Sequence, residues 1–359
     1  MRAAFLIFMT LLAASCSAPA LRSVNSGLSK SYNDPTGYFT NAVREGNIIE
    51  VMRCVEEGIV DVNVRDSYGW TPCMYAAQNG RDDLIEYLAL KGADINSVSE
   101  NGSAFMVALD YSRPKTARYL LDIGASIDTT DTAGNTALMK AVSHGHADLA
   151  AELLKRGCAV NARDARGKTA ILQAIESRNV DTVPILLQGG ADPDIADHEG
   201  RCPLLAAMES GDADMVKNLL SWKANPNAKD HEGRPAVMSA IYNRQEGLLR
   251  ILVRAGADLN APDRVGDTPL IYAICNNQAA MVAVLVDGGA DPNRKGPDGM
   301  TALMAAAQYG YHDTVVYLRE HGADPAMTNK SGKTAAMLAR ESRYTAIADY
   351  LEKKNGEGR

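Results

Sequence analysis

The chain has 359 residues, 37 basic against 44 acidic side chains, a formal net charge of −7 and only 6% aromatic residues. An acidic balance without basic runs argues against a general nucleic-acid binder or a coat for anionic membranes, since both need a positive excess. Six cysteines with no CxxC pair, spread thinly over this length, argue against a disulfide-framed fold.

Arg2 opens an almost unbroken apolar segment, Ala3 to Ala14, which runs into Ser15 and Cys16. A basic start, a short apolar core and a small-residue exit describe an export signal. The apolar segment is too short to span a hydrocarbon core, which takes ~20 residues. Two cleavage sites compete. "AASC" at 13–16 resembles the bacterial lipobox, with Ala13 where leucine is usual, and implies a signal peptide over 1–15 with a lipid on Cys16. By the same resemblance, Ser17 in place of aspartate points to the outer membrane of a two-membrane bacterium. The alternative is cleavage at Ala18-Pro19-Ala20, which releases a soluble periplasmic or secreted chain from Leu21. Residues 16–38 are rich in Ser, Gly and Pro and read as a flexible tether with a typical reach of about 25 Å.

From there the chain repeats. Gly69, Gly102, Gly134, Gly167, Gly200, Gly233, Gly266, Gly299 and Gly332 stand 33 residues apart, apart from one step of 32 after Gly102. A second glycine follows 23 residues later in most rows, with Lys223 as an exception. A fixed period of this size is the mark of a stacked repeat. The row starting at Gly134, "GNTALMKAVSHGHADLAAELLKRGCAVNARDAR", shows the pattern. Thr136 caps a short helix, and Gly145 permits a left-handed bend. A second helix then carries Leu149, Leu153 and Leu154 along one stripe.

This grammar resembles the ankyrin repeat; "GWTPCMYAAQNGRDDLIEYLALKGADIN" from Gly69 and "GDTPLIYAI" from Gly266 are close to its consensus. The resemblance spans 39–354, with eight clear rows between a worn first row and a truncated last one, and leaves 355–359 as a tail. It implies an all-α solenoid of about ten helix-turn-helix units joined by hairpin-like loops. The rows depart from the family in one place: its histidine after T-P-L is replaced throughout, six times by methionine (Met74, Met106, Met139, Met238, Met304, Met337). One Met per row suits core filling better than a copper-binding array. Arg178, Arg244, Asn277 and Arg343 replace the inter-helix glycine, so those bends carry strain of ~1 kcal/mol each. Pro184 falls within a second helix, where it should kink or loosen its row.

No enzyme signature survives inspection. "RGKTA" and "SGKTA" lack the glycine that a phosphate loop needs five residues earlier, where Ala162 and Met327 stand. "HGH" at 144–146 has no third metal ligand nearby, and Cys54, Cys73 and Cys202 occupy apolar or threonine places of their rows. No catalytic residue, metal or cofactor is therefore assigned. In this family the hairpin tips and first helices line a groove, so places that vary between rows are the candidates for binding. Lys168, Arg201 and Arg234 follow three successive ruler glycines and make either a positive ridge for an acidic loop or an ordinary solvated edge, with Glu199 and Glu232 partly cancelling their field. On the first helices, Tyr75, Asn79, Tyr111 and His144 share one face. Tyr68 and Trp70 join them from the adjoining tip, Trp70 either exposed as an anchor for a partner or packed against the first row. The sequence reads as a monomeric, non-catalytic protein-binding scaffold, lipid-tethered in a bacterial envelope and facing the periplasm or cell surface. The resemblance implies partners such as a toxin, an effector or an envelope enzyme, and a structural spacer is the rival reading.

Overall fold

A computed structural model describes residues 34–353; the leader, Cys16, nearly all of the tether and the tail lie outside them. The chain divides into two compact units, the first ending at Thr132 and the second beginning at Ala133. Within the described residues of the first are three helix pairs: α1 (Pro35–Glu45) with α2 (Ile48–Glu56), α3 (Pro72–Asn79) with α4 (Asp82–Leu90), and α5 (Ala104–Asp110) with α6 (Pro114–Asp122). The second begins with α7 (Ala137–Ser143) and α8 (Ala147–Lys155), α9 (Ala170–Glu176) and α10 (Thr182–Gln188), α11 (Pro203–Glu209) and α12 (Ala213–Ser221), then α13 (Ala236–Tyr242) and α14 (Glu246–Arg254). It continues with α15 (Pro269–Cys275) and α16 (Ala279–Asp287), α17 (Ala302–Tyr309) and α18 (His312–Glu320), and α19 (Ala335–Glu341) with α20 (Thr345–Lys353). The architecture is all-α, with one two-stranded hairpin, Val98–Ser99 against Gly102–Ser103, among the described residues.

Residue choice sets the role of each helix. The first helix of a row is short and rich in alanine, and α17 buries all of Ala302–Ala307. Small side chains let the first helices of successive rows lie side by side within each unit. The second helix is amphipathic: α14 buries Leu248, Leu249 and Leu252 and keeps Arg250 and Arg254 outside. Helices of seven to nine residues are marginal alone in water, so the stacking supplies most of their stability.

The methionines have a second use besides filling. Met139 N–H donates to Thr136 Oγ1 at 3.2 Å while Thr136 N–H donates to Met139 Sδ at 3.4 Å. The sulfur stands where a capping box normally carries a Glu or Gln acceptor. Met74, Met106, Met139, Met238 and Met304 are buried, but Met337 is 51% exposed, so the core reading fails there. Among the described residues α19 has a neighbouring first helix on one side only, and the side chain that the next row would seal stands open.

Backbone geometry follows the glycines. Gly200 has φ +74°, and a Cβ there would come 3.0 Å from His231 N of the next row, so glycine is required twice over. Arg178, Arg244, Asn277 and Arg343 adopt the expected left-handed bends, at φ 57°, 55°, 53° and 67°. Pro184 does not kink a helix interior as expected. Instead α10 starts at Thr182, is only seven residues long, and places Pro184 in its first turn, where a missing N–H costs no helical bond.

Rows are joined by a hydrogen-bond ladder. The amides of Asp94, Asp192, Asn225, Asp258, Asp291 and Asp324 donate to Asn63, Asn161, Asp194, Asn227, Asn260 and Asn293 side-chain oxygens of the preceding row at 2.7–2.8 Å. Asn260→Ala is expected to lower unfolding free energy by about 1 kcal/mol in urea titration and to speed hydrogen exchange at the Asp291 amide.

Candidate protein-binding surfaces

In the first unit the candidate residues gather around one carboxylate. Asp66 Oδ1 accepts the amides of Tyr68 and Trp70, each at 2.9 Å, and Oδ2 accepts the Tyr75 hydroxyl in a short contact. Burial, with this bond and the Asp66 charge, pushes the Tyr75 phenol up to about 12. The Trp70 ring lies 5.0 Å from Tyr75 and meets Tyr111 edge-on at 6.4 Å, while Nε1–H donates to Asn101 Oδ1 at 3.3 Å. Trp70 is 9% exposed, so it is not the open anchor of one sequence reading; it is packed, but the contacts shown are with Tyr75 of its own row and with Tyr111 and Asn101 of the next row rather than with the first row. Tyr68 at 76% and Tyr111 at 47% are the aromatics in this group that solvent reaches freely. Asn79 is exposed, but its Nδ2 already donates to the carbonyls of Arg44 and Tyr75 at 3.2 and 3.1 Å.

These side chains border a cleft of about 420 Å³ lined by Asn41, Arg44, Glu45, Gln78, Asn79, Tyr111 and Arg113. Sequence reasoning missed Asn41, Arg44 and Glu45 because the first row is worn. The signal was present: counting back from Gly46, the inter-helix glycine of that row, sets Arg44 and Glu45 at the places of Gln78 and Asn79.

In the second unit the expected positive ridge is neutralised. Lys168 Nζ lies 2.7 Å from Glu176, which also holds Arg201 in a close pair, and Arg201 Nε is 3.6 Å from Glu209. Arg234 pairs with Glu232 and sits 4.9 Å over the Tyr242 ring. Glu232 cancels charge as expected, whereas Glu199 pairs with neither arginine; Glu176 and Glu209, at the ends of α9 and α11, do that work. The docking reading of this ridge loses its net field. His144 is exposed, with Nδ1 2.9 Å from the Lys140 carbonyl and its ring stacked 6.2 Å from His146. Beside α10, Val180 and Arg178 line a further cleft of about 400 Å³ with Glu176, Arg201, Asp212 and Met215.

In the row after that of Arg234, the pattern reverses. Asp267 occupies the place of Lys168 and has no ion pair among the described residues; burial and the nearby Asp263 charge raise its carboxyl pKa. Its charge reaches Tyr272, Cys275 and Tyr309, and Tyr309 stacks on Tyr311 at 5.8 Å. Tyr242 and Tyr309 are exposed. This tyrosine-and-carboxylate window was not singled out as a unit from the sequence, because the approach of Asp267, Cys275 and Tyr309 joins three separate places of two rows.

The buried cysteines are filler. Cys54, Cys73 and Cys202 are almost without exposure, all three thiols have raised pKa values through burial, and Cys73 is pushed up to about 12, which suppresses thiolate chemistry. Among the described residues no helix is long and apolar enough to cross a membrane.

Trp70→Ala should lower stability by about 3–5 kcal/mol, the usual cost of emptying a buried aromatic site, as measured by chemical denaturation. The raised Tyr75 pKa means its stabilising contribution is complete below about pH 10, the unfolded value, and is lost as pH rises toward about 12. Unfolding free energy should therefore fall across that alkaline window, and Tyr75→Phe should flatten the fall.

Six overlapping stretches, 20–99, 39–131, 105–197, 160–230, 204–296 and 288–357, match the family model for ankyrin repeats. The chain is 32% identical over 97 residues to the E3 ubiquitin-protein ligase hecd-1 of Caenorhabditis elegans, covering 27% of this chain and 4% of that protein. It is 38% identical over 82 residues to the mitochondrial disaggregase of Bos taurus, covering 23% and 12%. It is 46% identical over 55 residues to the human ankyrin repeat domain-containing protein 29, covering 15% and 18%. The chain thus spans a small part of each of these relatives. The crystal structure of the ankyrin repeat domain of Bcl-3 superposes with a TM-score of 0.55 at 27% identity, over 60% of this chain and 99% of that one. The repeated grammar, the paired helices and these matches agree: the chain belongs to the ankyrin-repeat family.

Proposed function

We propose that this ankyrin-repeat chain is a non-catalytic scaffold, exported by its leader, lipid-anchored at Cys16 in a bacterial envelope, and built to hold a protein partner such as a toxin, an effector or an envelope enzyme. The observation that carries the binding role is the division of labour within each row. Frame places are buried in row after row, whereas the ends of the first helices expose Tyr111, Tyr242 and Tyr309 in varied surroundings. Tyrosine offers a large contact area at low entropic cost and is enriched where proteins bind. The export reading rests on Arg2, the apolar run and "AASC". Within the second unit, the window around Asp267, Tyr272 and Tyr309 supports docking better than the ridge, because Lys168 and Arg201 already have carboxylate partners.

A photo-crosslinking residue placed at Tyr111, Tyr242 or Tyr309 in the native cell should capture one defined protein. The same residue at Lys217, exposed on α12, should not. Equal labelling at all four places, or none, would favour a spacer. For the anchor, labelled palmitate should enter the wild-type chain and be absent from Cys16→Ser; continued labelling of the variant would remove Cys16 as the attachment point.

A further inference from the structure

We propose that the first-unit cleft between Arg44 and Arg113 is a receptor for a carboxylate, the aspartate or glutamate side chain of an extended partner segment laid across α1, α3 and α5. The inference rests on the protein-binding reading and adds the chemistry of what is bound.

Arg44 and Arg113 are the two cations that line this cleft; Lys115, also without an ion pair among the described residues, does not line it. Arg53, Arg81 and Lys91 each have a carboxylate oxygen at 2.6–2.7 Å. Arg65 spends its guanidinium on the carbonyls of Gly69 and Val98 and on Ser97 Oγ. Arg44 and Arg113 line the cleft with no carboxylate partner among the described residues. Both are held in place by something else. Arg113 Nε–H donates to the Gln78 carbonyl at 3.0 Å, which orients the guanidinium plane and leaves its two terminal nitrogens as donors. The Arg44 guanidinium lies 5.5 Å from the centre of the Tyr75 ring, itself tied to Asp66. Orienting the forks before binding reduces the entropy lost when they engage an anion.

Charge and shape narrow the ligand. Glu45 also lines the cleft, with its Oε1 engaged by Asn41 Nδ2–H at 2.9 Å, so two cations face one resident anion. One carboxylate brings the site to neutrality, whereas a dianionic phosphate would overshoot it. Arginine forks match carboxylate oxygens in geometry, and the half-exposed Tyr111 ring provides a wall for the methylene stem of an acidic side chain. Three adjacent helix ends at ~10 Å spacing offer a track of about 20 Å, the length of roughly six extended residues.

The test is selection of a random dodecapeptide library on the purified full chain. Enriched peptides should share an Asp or Glu whose change to Asn or Gln weakens binding about tenfold or more. Arg44→Gln and Arg113→Gln proteins should lose the same margin, with thermal melts run alongside. Should Arg113→Gln melt early, Arg44→Gln decides, since its guanidinium makes no hydrogen bond to described residues. The monoanion N-acetylaspartate α-amide, which keeps only the side-chain carboxylate, should compete better than inorganic phosphate. Enriched peptides without an acid, acidic peptides indifferent to both variants, or stronger competition by phosphate would overturn the carboxylate site and leave the protein-binding reading intact. No enrichment overturns the site as well, and the crosslinking at Tyr242 and Tyr309 then decides separately whether the chain binds proteins at all.

Discussion

Helices of seven to eleven residues cannot close a core of their own, and everything else in this chain answers that constraint. A row exposes an apolar edge until the next row covers it, so burial is shared between neighbours rather than completed within a unit of sequence. The Asn and Asp ladder adds direction to this non-directional attraction. Each rung fixes the next hairpin by an amide donor at 2.7–2.8 Å, 31 residues downstream. Together they explain why a change in one row is felt by its neighbour.

A second set of ties runs between first-helix ends. At four of the inter-helix bends the residue just after the bend reaches back to a carbonyl of the preceding row: Arg81 to Gly46, Arg113 to Gln78, Asn179 to Val142 and Ser143, Gln245 to Met208. The side chains differ, yet each is long or polar enough to donate to a helix-end carbonyl that lacks an intrahelical partner. Left-handed bends at Arg178 and Arg244 persist because these contacts and the stacked helices hold the backbone against its local preference.

Frame and surface then follow different rules. Alanine, leucine and methionine recur where neighbours press from both sides. Charges are settled locally instead, as Lys168, Glu176, Arg201 and Glu209 form an alternating chain on the second unit. Surface pairs of this kind add little stability, but they cancel the field a partner would feel. What distinguishes the Arg44–Arg113 cleft and the Asp267 window is that this cancellation is incomplete there, beside tyrosines that remain partly open.

Much of this was legible in the linear chain. The glycine period, the threonine caps and the leucine stripes depend on contacts within one row or on a constant offset to the next, so residue spacing, together with the family resemblance it carries, pointed to the all-α repeat, its bends and the buried place of five of six methionines. Tertiary structure decided what spacing cannot express. Trp70 packs against Tyr75, Tyr111 and Asn101, Pro184 resets the start of a helix, and Met337 stands open on a first helix with a neighbour on one side only among the described residues. The ridge at Lys168 and Arg201 lost its net positive charge because side chains pair through space with residues eight or twenty-five positions away. Those pairings depend on reach and direction of individual side chains, which a repeat in one dimension does not contain.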